Sequence, residues 1–225
     1  MLRKVLGILL IWLPAAFVLT SLILVLSLRN GRITWTPLML RRDIEFRDDE
    51  GFSTHRNQWT PLEDFSPALI CAVITSEDAR FYSHNGFDWE EIRRMRYRHK
   101  HMDGPLRGCS TISQQTARNL FTFCSKTWLR KAFESWWTVL IERFWSKERI
   151  LEVYLNIVET GPGLYGIPAA SSAYFRCPPA ELRLHDACAL TLCLPEPLRR
   201  TPAWVWENLP IRLEKICRKT SVHHT

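Results

Sequence analysis

Apolar and polar positions divide the chain into a long uncharged N-terminal run and a remainder with helical periodicity. Residues 5–28 carry no charged side chain. At about 1.5 Å of rise per residue, a helix of this length crosses a hydrocarbon core of about 30 Å. The run therefore predicts one N-terminal transmembrane helix, preceded by a cytoplasmic tail of residues 1–4. A cleaved signal peptide is the alternative, but its apolar region usually spans only about 7–15 residues.

Beyond this run, the pattern predicts a connector and then a set of helices. Residues 29–60 are mixed, charged and short of periodicity, so they predict a juxtamembrane connector. Ser66 and Pro67 form a favourable helix start, and this helix should reach Glu77 near its end. Further helices are predicted after Asp88, after a cap at Ser110, and over residues 128–145, 147–158 and 187–194. Alternation typical of strands is scarce, so the domain over residues 61–225 is predicted to be mainly α.

The amino-acid composition and the net charge limit the classes of protein to which the chain could belong. The chain has 225 residues and 46% are hydrophobic, which allows one domain with a core and argues against global disorder. A net charge of +7 suits nucleic acid, an acidic membrane surface or a phosphorylated substrate. The seven cysteines include no CxxC pair, so buried thiols are predicted, with a structural disulfide as the alternative. Four tryptophans are expected to divide between core and membrane interface: Trp128, Trp136, Trp137 and Trp145.

Two polar clusters interrupt the helical sequence. The first begins at Glu77 and extends to Asp88, and it is rich in carboxylates. The second covers residues 108–119 and combines hydroxyls, side-chain amides and the cation of Arg118. So many polar residues cost stability unless they are solvated, hydrogen-bonded or used for function. Together they predict an acid/base centre beside an anion-binding centre, a combination that suits transfer of a sugar from a phosphate leaving group.

These clusters resemble the signature motifs of the peptidoglycan glycosyltransferase family, and within it the monofunctional biosynthetic members. The first two motifs are Glu77-Asp78-x-x-Phe81-x-x-His84-x-Gly86-x-Asp88 and Gly108-x-Ser110-Thr111-Ile112-Ser113-Gln114-Gln115-x-x-Arg118-Asn119. Two more follow as Arg130-Lys131-x-x-Glu134 and Lys147-x-x-Ile150-Leu151-Glu152-x-Tyr154-Leu155-Asn156. The motifs stand in family order, which makes the set far more specific than any one of them. Two positions depart from the family pattern: Cys109 replaces a small Gly or Ala, and Arg118 replaces Lys.

The resemblance implies a lysozyme-like helical domain on the periplasmic face of the cell inner membrane. It implies polymerisation of lipid II, with the growing glycan strand as donor, inversion at the anomeric centre and release of undecaprenyl pyrophosphate. It also implies a divalent cation, magnesium, for which the sequence assigns no ligands. The implied partners are the cytoplasmic membrane and proteins of cell-wall synthesis and division, and not nucleic acid.

Two carboxylates are the candidate catalytic residues. Inverting transfer needs a base for the acceptor hydroxyl, and Glu77 is the candidate. The alternative for Glu77 is a solvated helix-end carboxylate paired with Arg80. The resemblance makes Glu134 a second essential carboxylate that positions basic residues or metal, whereas the alternative is an ordinary helical ion pair with Arg130.

The leaving pyrophosphate needs cations and hydrogen-bond donors where negative charge develops. A helix start near Ser110 would add free backbone amides that favour anions. The alternative is ordinary capping with a polar surface. The predicted pyrophosphate-binding residues are Ser110, Thr111, Ser113, Gln114, Gln115, Arg118, Asn119, Arg130 and Lys131.

Three other functions remain open on the sequence. A lytic, lysozyme-like enzyme would share the fold and an essential glutamate, but it would not need the anion site. A catalytically silent scaffold would need neither Glu77 nor Glu134. A basic nucleic-acid binder would have no use for the anchor or the carboxylates.

Overall fold

The computed structural model describes residues 2–48, 59–102, 109–123 and 128–224, and most of these residues are helical. The N-terminal half contains α1 (Leu2–Ser27), α2 (Pro37–Glu45), α3 (Pro67–Glu77), α4 (Trp89–Met102), α5 (Ile112–Phe121) and α6 (Trp128–Phe144). The second half contains α7 (Lys147–Ile157), α8 (Ile167–Ala170), α9 (Leu184–Cys193), α10 (Pro202–Asn208) and α11 (Pro210–His224). One antiparallel hairpin of β1 (Glu159–Gly161) and β2 (Leu164–Tyr165) follows α7. The prediction of a mainly α domain is confirmed.

Helix α7 forms the centre of the domain. Its side chains from Ile150 to Ile157 are buried apart from Glu152, which is half-buried. Helix α5 packs between α6 and α7, and α3 packs against α9 and α11. Hydrogen bonds from Gln115 to Glu77 and from the amide of Ile112 to Asp78 join α5 to the C-terminal end of α3, so the two polar clusters of the sequence meet.

The helix starts discussed here lie where capping residues in the sequence predict them, with one exception. Ser66 Oγ accepts a hydrogen bond of 3.1 Å from the amide of Leu69, and Pro67 opens α3, as predicted. The predicted cap at Ser110 is wrong by one residue, because Thr111 caps α5. Thr111 Oγ1 accepts from the amide of Gln114 at 3.2 Å, and the Gln114 side chain accepts from the amide of Thr111 at 3.1 Å. This reciprocal capping box satisfies two backbone donors at the helix start.

Helix α2 lies within the segment that the sequence predicts as an irregular connector. Thr36 caps it by accepting from the amide of Met39 at 3.3 Å, and Met39 is buried. From the same helix, Arg42 makes two hydrogen bonds to Glu159, of 2.8 and 2.9 Å. Part of the connector therefore belongs to the folded domain and reaches its functional cleft.

The N-terminal helix α1 packs on the domain through aromatic residues of α6. The ring of Phe17 lies 5.8 Å from the rings of both Phe133 and Trp136, measured between centroids. The indole N–H of Trp145 donates to the carbonyl of Val25 at 2.8 Å. Trp145 is 5% exposed whereas Trp128 is 93% exposed, so the tryptophans occupy both core and exposed positions. The position of any of them at a membrane interface stays a prediction. Among the residues that the structure describes, no helix combines the length and apolarity needed to cross a membrane.

The described cysteines are free thiols, and no disulfide joins any of them. Cys188 and Cys193 are buried in α9, as predicted, and Cys71 is half-buried in α3. Burial raises the pKa of the Cys193 thiol to about 12. Cys124, one of the seven cysteines, and Gly108, from the second motif, lie outside the described residues.

Candidate active site

Glu77 is the last residue of α3 and lies half-buried beside α5. Gln115 donates a hydrogen bond of 2.9 Å from its side-chain amide to Oε2 of Glu77. Burial raises the pKa of Glu77, while the hydrogen bond from Gln115 and the charges of Arg212 and Arg118 oppose that rise. Glu77 is thus a carboxylate in a partly desolvated position with a cation nearby.

The alternative in which Glu77 pairs with Arg80 is wrong for the described structure. Arg80 turns to the first polar cluster instead, where its Nε lies 3.4 Å from Oδ2 of Asp88. It also pairs with Glu90 at the start of α4. The carboxylate of Glu77 is therefore left facing Gln115 rather than a neutralising partner on its own segment.

Gln115 is oriented from its other side by Tyr154. The hydroxyl of this fully buried tyrosine donates to Oε1 of Gln115 at 3.4 Å. Since the amide oxygen faces Tyr154, the amide nitrogen faces Glu77, which fixes the direction of the Glu77 contact. A contact between α7 and α5 thereby positions the candidate base.

A cleft with a volume of about 340 Å³ opens beside Gln115. Four arginines line it, and they come from three helices: Arg41, Arg42, Arg118 and Arg130. Gln115 and Asn119 add side-chain amides, and Glu159 adds a carboxylate. The side chain of Arg118 makes no hydrogen bond or ion pair with any other residue of the described ranges, whereas its backbone carbonyl accepts from Thr122. Such a cleft, with several guanidinium groups and amide donors, suits a polyanionic ligand.

Four residues of the second motif that were predicted to bind pyrophosphate do not line this cleft. Thr111, Ser113 and Gln114 are buried and have partners inside the protein. Thr111 Oγ1 donates to the carbonyl of Gly86 at 2.7 Å, and Ser113 donates to the carboxylate of Glu142. Ser110 is half-buried, ahead of the helix. Assignment of these four residues to the pyrophosphate stays a prediction.

The expectation of free amides at the start of α5 is wrong for three of them. The amide of Ile112 donates to Oδ2 of Asp78 at 3.0 Å, so a carboxylate of the chain occupies this helix N-terminus. The amides of Thr111 and Gln114 are taken by the capping box. From α5, the side chains that line the cleft are those of Gln115, Arg118 and Asn119, in the middle of the helix.

Glu134 is buried, with 1% of its side chain exposed. It accepts a hydrogen bond of 2.8 Å from Nη1 of Arg130 and another from Lys131. The ion pairs expected from the helical spacing are therefore present. They also hold Arg130 at the edge of the cleft, whereas Lys131 is exposed and does not line it. The catalytic role of Glu134 stays a prediction.

Three polar residues of the cleft were not predicted from the sequence: Arg41, Arg42 and Glu159. Arg41 and Arg42 are adjacent in α2, and Glu159 follows α7 at the start of β1. Two local signals were present: Thr36 and Pro37 form a favourable helix start, and the two arginines lie four and three residues ahead of Glu45, a spacing typical of helical ion pairs. Both pairs are present in the structure, at 3.5 and 2.8 Å.

The first motif contains a set of groups that could be considered for magnesium. Asp78, His84 and Asp88 bring possible ligand atoms within 4.8 Å of one another. However, Asp78 already binds His84 at 2.9 Å and the amide of Ile112, and Asp88 faces Arg80. Magnesium prefers oxygen ligands in octahedral geometry and keeps several waters. The set does not fit magnesium, because its oxygens are engaged and a guanidinium already supplies positive charge.

Fold and site together define a helical protein with a partly desolvated carboxylate beside an arginine-lined cleft. Residues 46–220 match the family model described as Transglycosylase. A biosynthetic peptidoglycan transglycosylase of Bdellovibrio bacteriovorus is 42% identical over 184 residues, covering 81% of this chain and 73% of the relative. A protein of that name from Ectopseudomonas mendocina is 44% identical over 212 residues, covering 89% and 86%. The chain therefore belongs to the transglycosylase family.

Proposed function

We propose that this transglycosylase polymerises lipid II into peptidoglycan glycan strands and releases undecaprenyl pyrophosphate. The observation that carries the proposal is the position of Gln115, which hydrogen-bonds Glu77 and lines the cleft that contains Arg118. The proposed base and the proposed anion site therefore lie on either side of the Gln115 side chain. The relatives named as biosynthetic peptidoglycan transglycosylases support the substrate.

In the proposed step, Glu77 takes the proton of the lipid II hydroxyl as that oxygen attacks the anomeric carbon of the growing strand. The bond between that carbon and the pyrophosphate oxygen breaks, and the electron pair leaves with the lipid pyrophosphate. The proton ends on Glu77. Burial raises the pKa of Glu77, which makes the carboxylate a better proton acceptor than a solvated glutamate.

Arg118 and Arg130 are proposed to stabilise the charge that develops on the leaving pyrophosphate. Cations placed where charge develops lower the barrier most, particularly where water is partly excluded. Glu134 would act by holding Arg130 in place, and Asn119 would donate from the same face of α5. The proposed mechanism requires no metal, and magnesium remains a proposal that rests on the family resemblance alone.

Placement in the cell is part of the proposal. The uncharged run of residues 5–28 would anchor the chain in the inner membrane, with a lysozyme-like catalytic domain on the periplasmic side. Support comes from the lipid-linked substrate and from exposed apolar side chains on α1, among them Ile11, Trp12, Leu13 and Leu19. Proteins of wall synthesis and division are proposed partners on the family resemblance.

Incubation of the purified full chain with lipid II tests the function. The polymerase makes glycan strands that electrophoresis resolves by length, and Glu77→Gln should make none. A lytic enzyme would instead shorten preformed glycan. A scaffold would do neither, and either of these results would overturn the proposal.

A further inference from the structure

Three helices of the domain bring thiols together at one place. Cys71 lies in α3, Cys188 in α9 and Cys217 in α11, and these helices pack against one another. Thr220 of α11 is a common neighbour of two of the thiols. Its carbonyl oxygen lies 3.5 Å from Sγ of Cys71, and its hydroxyl oxygen lies 4.0 Å from Sγ of Cys188. Three of the described cysteines, distant in sequence, therefore form one cluster.

Within this cluster, Cys188 and Cys217 are the pair that can be joined. The thiol of Cys188 is in hydrogen-bonding contact with the side chain of Cys217, whereas Cys71 acts on Cys188 only through its charge. The thiol of Cys71 faces Thr75 and Thr220 instead. Two thiols in hydrogen-bonding contact need only a small movement to reach the bonded S–S distance of about 2.05 Å.

Access from solvent differs between the two thiols of this pair. Cys188 is fully buried, whereas Cys217 is half-buried. An oxidant in solution therefore meets Cys217 first. Burial raises the pKa of the Cys188 thiol, and contact with Cys217 raises it further. Cys188 is thus a slow nucleophile at neutral pH, and its reaction should become faster as the pH rises.

We propose that Cys188 and Cys217 are a redox pair that forms a disulfide between α9 and α11. The oxidant is another disulfide. The thiolate of Cys217 attacks one sulfur of that disulfide, whose S–S bond breaks and releases a thiolate. The thiolate of Cys188 then attacks Sγ of Cys217 and displaces the other half of the oxidant. The chain loses two protons and two electrons, and the oxidant gains them as two thiols.

The crosslink would join two elements that lie beside the candidate active site. Helix α9 is followed by Leu194 and Pro195, which line the arginine cleft. Helix α11 carries Arg212, whose charge lowers the pKa of Glu77. A bond that closes a loop of about 30 residues restricts the unfolded chain, which stabilises the fold. Disulfides persist in oxidising compartments, so the role of the bond in the cell rests on the proposed periplasmic placement, whereas its formation does not.

Peptide mapping of the oxidised full chain tests the pair directly. The detergent-solubilised chain is incubated with oxidised glutathione at about pH 8, alkylated as it is denatured, digested without reductant and analysed by mass spectrometry. We expect a peptide that links Cys188 to Cys217 and that reductant separates. The melting temperature of the crosslinked chain should rise by about 5 °C. A link from Cys188 to Cys71, or Cys188 recovered only as the alkylated thiol, would overturn the proposal.

Two serine variants of the same cluster are matched controls. Cys217→Ser removes one partner and should abolish both the crosslink and the rise in melting temperature. Cys71→Ser removes the neighbouring thiol and should keep both, so a loss of the crosslink in this variant as well would contradict the assigned pair. If Cys217→Ser does not fold, the wild-type chain before and after reduction provides the same comparison. None of these measurements uses lipid II, so their outcome is independent of the proposed polymerisation.

Discussion

Gln115 donates its side-chain amide to Glu77 at 2.9 Å while its carbonyl accepts from Tyr154 at 3.4 Å. Three helices, α3, α5 and α7, therefore meet at one hydrogen-bonded chain. The hydrogen bond stabilises the ionised carboxylate, in opposition to the burial that raises the pKa of Glu77. Gln115 thus acts as a positioning residue for the proposed base, in addition to its place on the cleft.

Replacement of Gln115 by Leu should change the pH dependence of polymerisation. Without the hydrogen bond, the pKa of Glu77 rises further above its ordinary value. The acidic limb of the kcat/KM profile should therefore move to higher pH, and turnover should fall by about tenfold at neutral pH. Tyr154→Phe, which removes only the longer contact to Gln115, should give a smaller shift in the same direction. An unmoved acidic limb in Gln115→Leu would exclude this role.

Glu77→Gln should abolish turnover, with a loss of at least about 100-fold, because the amide cannot accept the proton. The same change should raise the melting temperature at neutral pH. The folded-state pKa of Glu77 is raised, so its contribution to stability is full below the unfolded pKa and is lost as the pH rises through the folded pKa. A neutral amide at this position does not ionise, so the variant does not lose this stability at neutral pH.

Calorimetry of Glu77→Gln at neutral and acidic pH checks the stability half of this prediction. The gain over wild type should shrink as the pH falls below the ordinary pKa of a glutamate, where both side chains are neutral. A folded variant with near-normal turnover would remove Glu77 from the mechanism. If Glu77→Gln melted at a lower temperature than wild type at neutral pH, the prediction that ionised Glu77 destabilises the fold would be wrong.

Local sequence signals were sufficient for most of the helices. The start of α3 at Ser66 and Pro67 and the buried face of α7 follow from capping chemistry and periodicity. Helix α2 begins with the same kind of signal, a Thr36 cap followed by Pro37, but it lies in a stretch without periodicity. Its Arg42 binds Glu159, which is 117 residues away in sequence. No window along the chain contains that contact. Thr111 rather than Ser110 caps α5 because Gln114 stands three residues later and completes a capping box, which is a local signal. The Thr111 hydroxyl also donates to the carbonyl of Gly86.

The candidate site was predictable in its residue types more than in its geometry. The second motif pointed to Arg118 and Asn119, and the structure places both on the cleft with Gln115. It could not show that Thr111 and Ser113 turn inward, because hydroxyls serve equally well as caps and as ligand donors. Their partners, Gly86 and Glu142, are set by tertiary packing.

The ion pair between Arg42 and Glu159 should be a large contributor to stability. Both side chains are nearly buried, so Arg42→Met leaves an uncompensated carboxylate and should cost about 3 kcal/mol of unfolding free energy. Glu45→Ala removes the more exposed partner of Arg42 and should cost less than about 1 kcal/mol. Addition of Glu159→Gln to Arg42→Met should recover part of the loss. Denaturant unfolding of the detergent-solubilised chain measures all three, and similar losses in Arg42→Met and Glu45→Ala would exclude the buried pair as the cause.

Arg118 should be the main contact for the leaving pyrophosphate. Within the described residues it lines the cleft without an ion pair, so its charge is available to a ligand. Arg118→Ala should lower polymerisation about 100-fold, and Arg118→Lys should restore part of the activity, because an ammonium replaces the charge but not the planar fork. Arg143→Ala, which removes an exposed arginine of α6 outside the cleft, is the matched control and should leave polymerisation unchanged.

Moenomycin, an anionic phosphoglycolipid, should bind wild type and lose affinity for Arg118→Ala. If Arg118→Ala kept both turnover and moenomycin binding, the anion site would have to be assigned to Arg130 instead.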